Sequence, residues 1–241
     1  MSESITVFNR QTVRRHRARA AKSAAGMAAR DPGRDDFLFA ESAERLCDRL
    51  SDVTRTFPLA LDLGCHSGHL ANTLGRRGAI DTLVQCDLAP EMVVAASGLR
   101  LAADEEAIPF GPDTFDLVLS NLSLHWVNDL PGALLQIRHA LKPDGLFLGA
   151  MLGGETLKEL RQALSEAEIT QENGLSPRIS PMAGVRDLGG LLQRAGFALP
   201  VVDTDTITVI YSDPMTLLAD LRAMGESSAL IEARKGLMRR A

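Results

Sequence analysis

The chain has 241 residues, 45% of them apolar and 24% charged, and a net charge of −5. That is enough apolar surface for one α/β domain and excludes a wholly disordered chain. With eight Phe, one Trp and one Tyr, a ring-lined platform for single-stranded nucleic acid is excluded too.

The charge is uneven. Residues 1–30 hold seven Lys or Arg and a single acid, Glu3, leaving 19 bases and 30 acids, a net of −11, on the other 211 residues. A basic arm, residues 1–34, is therefore expected on an acidic domain, residues 35–241. Two destinations for the arm stay open: an acidic partner, or its own acidic body. Nucleic acid is a poor partner, because the body repels it. Arg10, Arg14 and Arg17 stand at i, i+4 and i+7 and share a helix face. Val13, Ala20, Ala24 and Met27 make a thin apolar seam on another. Three guanidinium forks suit a carboxylate, a phosphate or an acidic surface.

Next, Ala40, Ala43, Cys47 and Leu50 recur at helical spacing, and Pro58 to Asp62 reads as a first buried strand. Short apolar runs at 82–86, 99–102, 115–120 and 145–151 are predicted as further strands, with a crossover helix at 131–141. Leu157, Leu160, Leu164 and Ala167 predict a helix after the fifth strand, and 173–181 a loop. Val185 to Ala195 is another helix, stopped by Gly196. Thr206 to Tyr211 alternates like a late strand. Strand–helix alternation with continuous apolar strands predicts an α/β fold: a doubly wound, mostly parallel sheet with helices on both faces. The three cysteines are too few and too scattered for a disulfide framework, and no run reaches the length of a membrane span. A reducing cytoplasm is the expected setting.

The chemistry concentrates where the first strand meets its turn. Asp62-Leu-Gly-Cys-His-Ser-Gly68 places Gly64 and Gly68 where a ligand approaches the backbone. Asp87 ends the second strand, 19 residues after Gly68, a spacing at which an acid receives a ribose hydroxyl pair. No G-x-G pair exists, and Asp62 beside the turn would repel a pyrophosphate. A cationic nucleoside fits better, and Asp104 is placed to accept from an adenine amine.

These residues carry a resemblance. Asp62 to Gly68, Asp87-Leu-Ala-Pro-Glu-Met92, Ala103 to Phe110 and Phe115 to Asn121 resemble the successive motifs of class I S-adenosylmethionine-dependent methyltransferases. The resemblance implies a Rossmann-like fold with S-adenosylmethionine as cofactor and S-adenosylhomocysteine as product. It implies cofactor contacts from Asp62, Gly64, Cys65, His66, Gly68, Asp87, Leu88, Met92, Asp104, Glu105 and Asn121. The family usually has glycine where His66 stands, so a side chain here crowds or contacts the cofactor.

A narrower likeness lies in Val7 to Ala21, Ser120 to Asp129, Leu152 to Arg161, Ser176 to Pro181, Asp203 to Asp205 and Leu221 to Glu226. These resemble the respiratory complex I assembly factor 5 family, whose mitochondrial member is a protein-arginine hydroxylase. The biotin-pathway malonyl-acyl-carrier-protein methyltransferases are a neighbouring branch. Because Phe8-Asn9-Arg10 belongs to the likeness, the arm reads as part of the domain rather than as a targeting tag. The implied partners are a protein substrate, a complex I subunit among them, or a small methyl acceptor. Asn121, His125 and Trp126 are the candidate catalytic residues, as positioner, base and wall; the plain alternative is packing. No metal site is read from the sequence. After Tyr211 only helical pattern continues to Ala241, so the closing strand of such a sheet is expected to be missing. Either the chain is a shortened version or the edge is completed otherwise, pairing with a second copy being one completion.

Overall fold

The computed structural model describes residues 6–27, 36–75, 77–172 and 176–232. The predicted arm–domain boundary at 34/35, residues 173–175 of the predicted loop, and the helical pattern beyond 232 lie outside the described residues. So do the side chains of Ala24 and Met27.

Five strands form one parallel sheet: β1 (Phe57–Leu63), β2 (Ile80–Asp87), β3 (Leu99–Ala102), β4 (Phe115–Asn121) and β5 (Leu141–Ala150). Their spatial order is β3-β2-β1-β4-β5. The order reverses between β1 and β4, and the crevice beyond their carboxyl ends is where such sheets take ligands. Register is tight there: Asp62 pairs with Gln85 on one side and Leu119 on the other.

Helices cover both faces. On one, α2 (Phe37–Ser51) and α3 (His69–Leu74) bury Ala43, Leu46, Cys47, Leu50, Leu70 and Leu74 against Phe57, Ala60, Leu117 and Leu119. On the other, α5 (Leu130–Ala140) and α7 (Val185–Arg194) lie over Leu61, Leu63, Phe115 and Val118. The 3.6-residue spacing of those apolar positions is what turns one face of each helix inward. Asp129 caps α5 by accepting from Gly132 N–H at 2.9 Å, and Pro131 stands in the first turn, which needs no N–H. The short α4 (Pro90–Ala95), α6 (Lys158–Glu172) and α8 (Pro214–Met224) complete the set.

The predicted strands at 58–62, 82–86, 99–102, 115–120 and 145–151 all form, within a residue or a few of the expected ends. The strand expected at Thr206–Tyr211 does not. Among the described residues this stretch has no ladder partner; Thr206 N–H bonds only to its neighbour Asp205. Leu199, Val201 and Ile210 are 93%, 88% and 92% exposed. Alternation alone cannot make a strand: without a neighbour to take its backbone groups, the chain stays extended and solvated. Among the described residues the side of β5 away from β4 is accordingly unpaired.

The basic arm is a helix, α1 (Arg10–Met27), and it lies back on the domain. Its start is clasped. Asn128 Oδ1 accepts from Val7 and Phe8 N–H, Asn9 N–H donates to Ala229 C=O, and Phe8 bridges to Leu230. Phe8 and Val13 bury against Trp126, while Ala20 and Ala21 touch Ala89 and Met92. Of the three arginines expected on one face, Arg10 and Arg17 turn inward and Arg14 is exposed. A step of seven is two turns and a step of four overshoots one, so burial selected the i, i+7 pair.

Candidate functional site

The turn after β1 is built for close approach. Gly64 has φ +78°, and a side chain on it would overlap Ser123; Gly68 has φ +86°. Gly64 and Cys65 N–H both donate to Cys86 C=O at 2.9 Å, which pins the turn to the end of β2. His66 sits between the glycines with φ +49°, a strained conformation for a side-chain-bearing residue. That is the physical reason glycine is usual there.

His66 is buried. Its N–H donates to Asp87 Oδ2 at 3.1 Å, and its ring lies 4.2 Å from that of Phe39. Burial, then the Arg17 charge, push its pKa well below the ordinary value, so the ring is neutral. Its Nε2 stands 3.2 Å from Leu122 C=O, which can only accept; Nε2 therefore carries the proton, and Nδ1 is a buried acceptor with no partner.

Four carboxylates converge on this end of the sheet. Asp62 is fully buried and neither oxygen has a hydrogen-bond partner. Burial and the nearby Asp87 push its pKa up to about 8. Asp87, also fully buried, accepts from Ala89 N–H at Oδ1, 2.8 Å, and from His66 N–H at Oδ2. Burial raises its pKa, opposed by Arg17. Glu105 is buried as well: burial works against its charge, but Arg17 and Arg10 outweigh it and hold the carboxyl well below its usual range. Asp104, at the rim, accepts from Glu106 N–H.

Arginines from α1 fill the middle. Arg17, 1% exposed, donates to Asp87 Oδ2 at 3.2 Å, Glu105 Oε1 at 2.6 Å and Ser123 Oγ at 2.8 Å. Burial opposes its charge, but Asp87 and Glu105 outweigh burial and keep the guanidinium firmly protonated. Arg10 pairs with Asp104 and Glu105 and donates to Trp126 C=O. Of the two destinations open to the arm, the acidic body is the one it takes here.

Beyond β4 the expected residues come together. Asn121 Nδ2 donates to Phe39 C=O at 2.9 Å, leaving its buried Oδ1 without a partner. His125 Nε2 and Trp126 Nε1 both meet Glu226 Oε2, at 2.9 and 3.0 Å. His125 Nδ1 is buried and unpartnered. Trp126 packs edge-on to Phe8, centroids 5.3 Å apart, so it is a wall for the arm. Leu88 is half-buried beside it, and Met92 packs under Ala20 and Ala21. Cys65 is buried, and burial pushes its thiol up beyond reactive range.

Ser123, Asn128, Glu226 and Phe39 were not singled out as site residues. The only sequence signal for Ser123, Asn128 and Glu226 was their place in the resembling stretches. Among the described residues, no three His, Cys, Asp or Glu side chains group as a metal site would require.

Space is the counterpart of charge. The cavity left between α1, α2 and the β1 turn, lined by Ala20, Phe39, His66, Met92 and Met224, holds about 20 Å³. That is room for about one water, against roughly 300 Å³ or more for a cofactor pocket. The larger groove, about 360 Å³ between α7 and residues 200–202, contains none of the expected site residues.

Comparison with known proteins agrees with this fold. A methyltransferase domain family matches residues 61–149, the span from β1 to β5. The arginine-hydroxylase NDUFAF5 of human mitochondria is 46% identical over 98% of this chain and 68% of its own length. The chain belongs to the NDUFAF5 family. A malonyl-[acyl-carrier protein] O-methyltransferase of Halorhodospira halophila is 36% identical over 82% of the chain and 68% of its own length. In structure, the chain resembles phosphoethanolamine N-methyltransferase 2 of Haemonchus contortus, solved with S-adenosyl-L-methionine: TM-score 0.51, 18% identity, 71% of this chain and 44% of the other. The Rossmann-like methyltransferase fold of this NDUFAF5 relative thus stands, with five strands in place. Among the described residues no helix is long and apolar enough to cross a membrane.

Proposed function

We propose that this chain binds S-adenosylmethionine at the carboxyl ends of β1, β2 and β4, and that it modifies a protein partner in complex I assembly. The observation that carries the cofactor reading is Asp62, a fully buried carboxylate with both oxygens unpartnered beside a turn of positive-φ glycines. A buried acid without partners is costly, and a cationic ligand relieves that cost.

The donor set fits such a ligand. Asp62 would support the methionine end, Asp87 the ribose hydroxyls, and Asp104 or Glu105 the adenine amine, with Leu88 and Met92 against the ring. Gly64, Cys65 and Gly68 leave the backbone approachable. His66 Nδ1 and Asn121 Oδ1 are buried acceptors in want of donors. When bound, the cofactor supplies a methyl group on a sulfonium carbon. The chain's own part is to orient, to exclude water and, at His125 Nδ1, to accept a proton, with Glu226 holding the ring through Nε2.

The relatives' names support two readings of the acceptor. The human relative is named an arginine hydroxylase, so an arginine of a complex I subunit is the substrate we carry over. Hydroxylation needs an oxygen donor that S-adenosylmethionine does not supply, so that reading is supported by the relative's name alone; methyl transfer is supported by the His125–Glu226 pair and by the methyltransferase name of the Halorhodospira relative.

Calorimetry with S-adenosylmethionine tests the first step. Binding is expected, and Asp87→Ala should weaken it at least about tenfold, the worth of one charged acceptor. No heat at millimolar ligand would sink the cofactor site. Mass spectrometry of the partner subunit then decides the chemistry. Gain of one oxygen means hydroxylation, gain of one methylene means methylation, and no change means that the protein acts as an assembly chaperone.

A further inference from the structure

The arm occupies the site just proposed, and the inference drawn from that rests on the cofactor reading. We infer that α1 is an internal competitor: the Arg17 guanidinium stands where a ribose would meet Asp87, so ligand entry and the seated arm exclude one another.

Asp87 shows why both cannot fit. Its Oδ1 is committed to Ala89 N–H, and its Oδ2 already serves His66 N–H and Arg17 together. About one acceptor direction is left, and a ribose hydroxyl pair needs two, so it needs the one that Arg17 uses. The adenine side is closed in the same way, since Arg10 bridges Asp104 and Glu105. With the arm in place the neighbouring cavity is about 20 Å³, far below the volume of a nucleoside.

Arg17 cannot simply swing aside. It is 1% exposed, and the α1 backbone at His16 and Arg17 lies against Gly225, where even a methyl group would be in contact. Clearing the carboxylates therefore means moving the helix. The remainder of the seat permits that. Past Arg17 the hold is slight: Ala20 and Ala21 against Ala89 and Met92, Ala20 beside Gly225, and an exposed Lys22–Glu91 pair at 4.0 Å. The ion pairs are the main hold on this half of the helix, and a ligand that satisfies the same carboxylates removes the reason for it to stay. The start of the arm keeps its own clasp on Asn128 and Ala229.

The test uses the full chain and S-adenosylmethionine. Trp126, the one tryptophan, touches Phe8 and accepts from Arg10 at its carbonyl, so its emission reports the seat. Ligand binding is expected to shift that emission and to raise amide exchange across residues 10–27. Arg17→Met should bind about tenfold more tightly or better, because a competent state populated at about one-tenth costs about that factor. Asn128→Ala, which loosens the clasp and spares the carboxylates, should also bind more tightly, covering the case in which Arg17→Met does not fold. Binding with α1 as protected as before, or weaker binding by either variant, overturns the competition. Failure of the wild type and both variants to bind overturns the cofactor reading itself, a result distinct from binding without movement of the arm.

Discussion

The arm and the stretch 199–211 meet the domain through the same chemistry in opposite surroundings. α1 brings Arg17 into Asp87 and Glu105, and all three groups are buried. The late stretch brings Asp203 and Asp205 to Arg49 and Arg45 on α2, where every partner is a third or more exposed. Inside, Arg17 is the ion-pair partner of Asp87 and shares Glu105 with Arg10, away from solvent. Outside, water and salt stand in for either partner. The contrast shows that an ion pair fixes position only where solvent cannot replace it.

The largest effect should come from breaking the inner set. Arg17→Ala strands Asp87, leaves Glu105 to Arg10 alone, and should cost about 3–5 kcal/mol in urea unfolding, as removing one partner of a buried pair does. A loss no larger than that of a surface substitution would place both regions in the same class.

Asp62 sharpens the comparison by pH. Its folded pKa, about 8, lies above the ordinary 3.8, so the folded state keeps a proton that the unfolded chain has released. Stability from this group is complete below pH 4 and is lost as pH rises toward 8. Asp62→Asn should remove that loss. It should match the wild type near pH 4 and exceed it by about 2–4 kcal/mol at pH 8, at roughly 1.4 kcal/mol per pKa unit with allowance for relaxation. Equal curves at both pH values would mean that the carboxylate is already compensated.

Asn128→Ala should cost about 1–3 kcal/mol, leaving the Val7 and Phe8 N–H groups without their acceptor. At the outer region, Arg45→Ala and Ile210→Ser should leave the melting temperature unchanged, since neither side chain loses a buried contact. A drop on Ile210→Ser would reveal a partner on that stretch, and light scattering would show whether it is a second copy.

The strands were legible in the sequence because each is a short apolar run, and in β1 and β4 parallel pairing buries both faces. The β1 turn was legible because Gly64, Gly68 and Asp87 are spaced as ligand chemistry requires. Thr206–Tyr211 misled because a pattern of period two describes a face, while a strand also needs a neighbour. The target of Arg17 was hidden for a related reason: its partners lie 70, 88 and 106 residues downstream. Local spacing put Arg10, Arg14 and Arg17 on one face but held no information about which two would find acids. Glu226 was hidden likewise, 101 residues from His125.

The bridge from Phe8 to Leu230 has a consequence for the life of the chain. The arm is made before every group that holds it: Asp87, then Glu105 and Ser123, then Asn128, and finally Ala229 and Leu230. Helix α1 therefore spends that time as an undocked basic segment, and its seating closes the longest loop among the described residues, a slow kind of contact to form. The nascent chain thus offers its arginines to the surroundings before its own carboxylates can claim them.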